Sequence, residues 1–203
     1  MKTYKNRNHL LQILAEMKIK TACEVGVKAG EYASKMLQGI PSLEKLYLID
    51  LWEIRKNHID ASNPNNKIDF YDEKLKETKE ATKKWREKVE ILKGHSGEMC
   101  NHIKNGSLDW AYIDAGHDYL SCIEDLRAYW PKIKSGGIMS GHDYHTAAEV
   151  KKINKQDWSI CYDGSINEGA VKGAVDDFAR ENNLQILLSY QEMKWHTWSI
   201  VKE

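Results

Sequence analysis

Two short clusters of acid and imidazole are the residues of this chain best suited to chemistry. Asp114 is followed three residues later by His117, and His142 is followed directly by Asp143. The histidines fall in two copies of one tetrapeptide, Gly-His-Asp-Tyr, at 116–119 and 141–144. Each cluster follows an apolar run, 108–113 before Asp114 and 138–139 before the second copy. An imidazole beside a carboxylate can take up a proton near neutral pH. Two further carboxylates have informative neighbours. Glu24 opens the turn Glu24-Val-Gly26-Val-Lys-Ala-Gly30, and Asp50 closes the apolar stretch 46–49. Glycines in such a turn let a ligand approach the backbone at a helix N-terminus. The spacing is Gly-x-x-x-Gly, which is not the dinucleotide fingerprint. An acid at Glu24 would repel a pyrophosphate but suits an ammonium or a sulfonium. Asp50 lies about twenty residues beyond the turn, where an acid can accept from both hydroxyls of a ribose. The four groups together indicate a nucleoside-like cofactor and a reacting centre.

These groups share one crevice only if their apolar runs lie parallel in one sheet, because ligands of open α/β sheets bind outside the carboxyl ends of the strands. The pattern supplies such elements. Strands are expected at 21–25, 46–49, 89–92, 108–113, around 138–139, at 184–188 and at 195–201. Helical spacing covers a stripe at 10–17, then 31–37, the charged stretch 71–88, a short piece at 98–103, 119–130 and 170–180. Lys134 to Gly137 reads as a turn into the strand at 138–139. The last two strands, joined by the short turn 190–194, are expected to be antiparallel. The stretches 53–70 and 145–169 read as irregular. The first contains Asn63-Pro64-Asn65-Asn66, a turn signal, and is long enough for a lid. Residues 1–203 are expected to form a single domain.

Bulk properties narrow the class further. Lys+Arg and Asp+Glu number 30 each, so the formal net charge is zero and no nucleic-acid or membrane-surface partner is expected from charge. No apolar run approaches the roughly 20 residues that span a bilayer. The N-terminus does not read as a signal peptide. The four cysteines, Cys23, Cys100, Cys122 and Cys161, are scattered without a Cys-x-x-Cys pair, which makes a reducing cytoplasm the default.

The segments EVGVKAG, LYLIDLW, GHSGE, LDWAYIDAGHDY, IKSGGIMSGHDY and AVKGAVDDFA, in this order, resemble class I S-adenosylmethionine-dependent methyltransferases. More narrowly they are similar to methyltransferase family 24, near the rhamnosyl and macrolide-sugar O-methyltransferases. The resemblance implies a Rossmann-like α/β fold with helices on both faces of a seven-stranded sheet, order 3-2-1-4-5-7-6, only strand 7 antiparallel. It implies that Glu24, Gly26 and Gly30 flank the methionine part of S-adenosylmethionine. Asp50 would hold the ribose, Leu51 and Trp52 would lie beside the adenine, and His95 and Ser96 would border its edge. Asp114 would face the methyl donor or a metal. A divalent metal, Mg²⁺ or Mn²⁺, would be held by Asp114, His142 and Asp143. His142 stands where the family pattern has an acid, which favours the softer Mn²⁺ or no metal. His117 matches the histidine that serves as base in some macrolide-sugar methyltransferases, with His142 and His145 in reserve.

The implied reaction is O-methylation of a sugar hydroxyl on a glycan, a glycosylated natural product or a nucleotide sugar. The segments 53–70 and 145–168 would form the acceptor pocket, with Trp52, His58, Tyr71, Trp158 and Tyr162 as candidate lining. N-methylation of a small amine and a non-catalytic cofactor-binding subunit stay open as alternatives, as does self-association. A NAD-dependent oxidoreductase is disfavoured by the glycine spacing and by Glu24.

Overall fold

The computed structural model describes residues 3–54, 67–192 and 194–203. The expected turn at Asn63 to Asn66, most of the expected lid and His58 lie outside the described residues.

Seven strands form one sheet: β1 Thr21–Val25, β2 Lys45–Asp50, β3 Val89–Lys93, β4 Leu108–Ile113, β5 Ile133–Gly141, β6 Ile186–Leu188 and β7 Trp198–Val201. Their spatial order is β3-β2-β1-β4-β5-β7-β6. The pairs from β3 to β5 are parallel, and β7 runs antiparallel to both β5 and β6. The order expected by resemblance is therefore the one observed. The helices are α1 Arg7–Glu16, α2 Glu31–Gly39, α3 Ile68–Thr82, α4 Ser96–Met99, α5 Tyr119–Tyr129, α6 Ala147–Asn154 and α7 Ala170–Glu181.

Side-chain alternation along the strands divides the apolar residues into two cores. Ala22, Leu46, Leu48, Trp110, Tyr112 and Ile138 pack with α1 and α2 on one face. Cys23, Val25, Ile49, Ala111, Ile113 and Met139 pack with α5 and α7 on the other. The central strands β1 and β4 are almost wholly buried, as a parallel sheet covered on both faces requires. Glu24, on β1, faces the α1–α2 side next to its β4 register partner Tyr112.

Two segments differ from expectation. Lys134 to Gly137 belongs to β5: the partner of Leu108 is Ile133 and the partner of Trp110 is Ile138, so the intervening residues form a bulge within the strand. The segment after Tyr144 is not wholly irregular, because it contains α6. Thr146 caps that helix reciprocally with Glu149, a capping box. The motif Thr-Ala-Ala-Glu was present in the sequence and is the signal that locates this helix.

The strand ends fit together through one close approach. Gly26 follows β1 with φ +89°, and a Cβ there would stand 2.0 Å from the Asp114 carbonyl oxygen. Gly136, with φ +77°, has open space around the same position. Gly26→Ala is therefore expected to destabilise the fold by about 3 kcal/mol or more, and Gly136→Ala by only the ~1–2 kcal/mol of a left-handed alanine. Thermal or denaturant unfolding of the two variants side by side checks this.

Candidate active site

The carboxyl ends of β1, β2, β4 and β5 present all four acids singled out above to one crevice. On the first side, the turn between β1 and α2 is tied to Asp50. The Oδ2 atom of Asp50 accepts from the backbone N–H groups of Val27 at 2.9 Å and Lys28 at 2.8 Å, and Oδ1 accepts from that of Trp52 at 2.9 Å. A carboxylate has about four acceptor sites, so about one is left for a ribose hydroxyl without rearrangement. Gly30 caps α2 in a left-handed conformation, with Thr78 of α3 against it.

Trp52 is 1% exposed, and its indole N–H donates to the Lys28 carbonyl at 2.8 Å. This bond ties Trp52 to the β1–α2 turn. Leu51 is half-buried beside it. A pocket of about 350 Å³ opens against Trp52, lined also by Glu53, Ile54, Asp72 and Lys93. His95 is exposed on the turn after β3, while the Ser96 hydroxyl donates across to Asp125 of α5.

Glu24 is 2% exposed, and its Oε2 has no hydrogen-bond partner. Burial, followed by repulsion from Asp114 and Asp50, pushes its carboxyl well above the ordinary carboxylate range. Such a group is satisfied by a cationic donor.

On the second side, Asp143 stands between two imidazoles. His117 Nε2 lies 3.2 Å from its Oδ2, and His142 Nδ1 lies 2.8 Å from its Oδ1. Burial opposes the Asp143 charge, yet the hydrogen bonds from His117 and His142 hold its pKa well below the usual value. His142 is shifted upward despite burial, because Asp143 and then Asp114 favour its charged form. The Asp114 carboxyl is raised by burial and by repulsion from Asp143, against the lowering influence of His142, His117 and Arg7.

One ligand atom each from Asp114, His117 and Asp143 lie within 4.8 Å of one another. A cavity of about 10 Å³, room for one water-sized sphere, is lined in part by these three residues and by His142. The imidazole of this cluster is that of His117. His142, named with Asp114 and Asp143 from the resemblance, is bonded to the far oxygen of Asp143 and is not a member of this group.

A wall of aromatic rings supports His117, and sequence reasoning did not foresee its order. The imidazole stacks on Trp158 with centroids 4.3 Å apart and planes 14° apart, and Trp158 stacks in turn on Trp195 at 5.6 Å. Trp158 is 9% exposed, so its packing role is clear. His145, held in reserve as a base, is buried with its Nε2 on the Lys194 carbonyl oxygen, which assigns it to the scaffold. Tyr162 is hydrogen-bonded to Glu124 by its hydroxyl, and Tyr71 packs against the α1–α2 core. No local motif announces the stacking, because Trp158 and Trp195 are far from His117 in the chain.

The sheet order and the grouping of acids and glycines at its carboxyl edge define a Rossmann-like methyltransferase fold. The chain belongs to the family 24 type of methyltransferase domain, whose profile matches residues 23–144. No curated protein sequence matches it significantly. Solved structures share the fold at low identity. A protein assigned as a caffeoyl-CoA O-methyltransferase from Staphylococcus aureus superposes with a TM-score of 0.66 and 15% identity, covering 96% of this chain and 82% of that one. The O-methyltransferase from Bacillus cereus, solved in complex with SAH, gives 0.63 and 13%, covering 97% and 80%. The N-methyltransferase NodS from Bradyrhizobium japonicum gives 0.59 and 11%, covering 97% and 95%. Among the described residues, no helix is long and apolar enough to cross a membrane.

The unpartnered acid gives a direct test of the electrostatics. With its pKa raised in the folded state, Glu24 holds its proton there at pH values where the unfolded chain has released it. Stability from this group is therefore present below its unfolded pKa and is lost as pH rises towards the folded one. Glu24→Gln is expected to raise the melting temperature of the unliganded protein at pH 7.5 by more than at pH 4. An equal change at both pH values would contradict the assignment.

Proposed function

We propose that the protein transfers the methyl group of S-adenosylmethionine to a hydroxyl of a small-molecule or glycan acceptor, with a sugar hydroxyl as the substrate class. The observation that carries this reading is the Asp114–His117–Asp143 cluster at the carboxyl ends of β4 and β5, beside a glycine turn whose neighbouring acid is buried with one oxygen unpartnered. The turn and Glu24 suit the amino-acid end of the cofactor, and Asp50 suits its ribose. The sulfonium then faces Asp114.

Transfer is an in-line displacement. The acceptor oxygen forms a bond to the methyl carbon as the carbon–sulfur bond breaks. The cation becomes a neutral thioether, S-adenosylhomocysteine, and the hydroxyl proton passes to a base. A sugar hydroxyl is a poor nucleophile at neutral pH, so loss of this proton must accompany transfer. His117 is suited to take it. The Asp143 carboxylate, held in its charged form, orients the ring and stabilises the imidazolium that results. Stacking on Trp158 also favours the cationic ring.

The same three residues fit a divalent cation by donor chemistry: two carboxylates and one imidazole suit Mn²⁺ better than Mg²⁺. Such an ion, when bound, would supply Lewis-acid activation of the hydroxyl. A ring nitrogen engaged as ligand would not serve as base, so the two roles of His117 are separable by experiment. The N-methyltransferase reading would require neither.

Calorimetry with S-adenosylhomocysteine is expected to show binding by the wild type and by His117→Ala alike. Radiolabelled methyl transfer to glycans, glycosylated small molecules or nucleotide sugars should fall by about 10²–10⁴-fold in His117→Ala. Transfer that persists in chelator assigns His117 as base; transfer that stops and returns with Mn²⁺ assigns it as ligand. Transfer to amines alone, undiminished in His117→Ala, would overturn the O-methylation reading.

A further inference from the structure

Arg7 stands over the crevice without a role in the chemistry above. It opens α1, outside the residues matched by the family profile. The segment leading to it is stitched to the other end of the chain. The Tyr4 hydroxyl bonds with Ser199 Oγ at 2.9 Å and donates to the Thr197 carbonyl at 3.0 Å. The backbone N–H of Gln191 donates to the Lys5 carbonyl at 2.8 Å, and that of Arg7 donates to Glu192 Oε1 at 3.0 Å. Asn6 caps α1 through the His9 N–H. The Tyr32 hydroxyl of α2 donates to the Arg7 carbonyl at 3.3 Å. The start of α1 is thus fixed by β7, the β6–β7 turn and α2 together.

This anchoring directs the guanidinium inward. It lies 5.3 Å from the centroid of the Tyr32 ring, and its field reaches Tyr112, Asp114 and Glu24. Tyr112 is the cross-strand neighbour of Glu24 on the same face of the sheet. Among the described residues Arg7 makes no salt bridge. The crevice therefore holds a cation with no carboxylate in direct contact among the described residues and, on the same face of the sheet, a buried Glu24 oxygen that no donor satisfies. An α-amino acid group is the ligand with the matching pair of charges: its carboxylate suits the forked guanidinium and its ammonium suits Glu24.

We propose that Arg7 binds the α-carboxylate of the cofactor's amino-acid end, making the N-terminal helix part of the cofactor site. The inference rests on the S-adenosylmethionine reading of the crevice. Anchoring by the β6–β7 turn makes that turn the support of the contact, so the two ends of the chain jointly close the cofactor's methionine end.

The test compares two ligands by calorimetry: S-adenosylhomocysteine and its decarboxylated analogue, which keeps the ammonium and lacks the carboxylate. The wild type is expected to prefer S-adenosylhomocysteine by about 10-fold or more, the scale of a charge-assisted hydrogen bond. Arg7→Gln should erase that preference by weakening S-adenosylhomocysteine while changing the analogue by less than about twofold. Arg7→Lys, which keeps the charge without the fork, should retain part of the preference. Equal binding of the two ligands by the wild type overturns the proposal, as does a preference that survives in Arg7→Gln or an equal loss of both ligands in that variant. Binding of neither ligand by the wild type overturns the cofactor reading itself, an outcome distinct from these.

Discussion

The structure depends on how the carboxyl edge of the sheet tolerates like charges. Glu24, Asp50 and Asp114 end three adjacent strands, close enough for Asp114 and Asp50 to shift Glu24. A buried carboxylate is expensive unless it is paired or protonated. Each acid meets this demand differently. Asp50 accepts three backbone N–H groups and in doing so shapes the β1–α2 turn. Asp114 is opposed by the imidazoles around Asp143 and by Arg7. Glu24 has an oxygen with no hydrogen-bond partner, and burial raises its carboxyl above the ordinary range, so its charged form awaits a cationic partner. The proposed binding of a zwitterion with a further positive centre rests on this arrangement: a buried Glu24 oxygen without a donor, with Arg7 acting on the same strand ends.

The backbone near the acids is also constrained. Lys28 in the β1–α2 turn, Trp52 after β2 and Asp143 after β5 all have positive φ, at 55°, 42° and 59°. Non-glycine residues in this region cost free energy and persist where surrounding contacts enforce them. Lys28 donates its N–H to Asp50, Trp52 is pinned by hydrogen bonds from both its backbone and its indole, and Asp143 is held between two histidines. Left-handed residues also occur away from the site, at Lys18, Lys155, Ala170 and Asn183, but these three lie at the strand ends that carry the acids.

Much of the architecture was legible because it is local or periodic. Apolar runs at 21–25, 46–49 and 108–113 mark strands, and the sheet order is the one that the family resemblance implies. The bulge in β5 was harder, since Lys134 to Gly137 carries turn residues whether or not the strand continues through them; pairing with β4 decides it. The helix α6 is short and sits in a largely polar stretch, so only its capping box, Thr146 and Glu149, announces it. In the site, the acids could be placed by strand ends alone. Which imidazole joins Asp114 could not: His142 is next to Asp143 in sequence, but His117 completes the cluster because the chain after β4 carries it across to β5. The Trp158–Trp195 wall and the approach of Arg7 rest on contacts between distant segments, which no spacing rule reports.

The central claim is that this edge of the sheet binds S-adenosylmethionine with its sulfonium turned towards Asp114 and His117. A crystal structure of the protein with S-adenosylhomocysteine measures this most directly. It should show the amino-acid end against Glu24 and the β1–α2 turn, the ribose at Asp50, and the thioether sulfur facing the Asp114–His117–Asp143 cluster. A ligand bound outside this crevice, or with its adenine end at Glu24, would contradict the account.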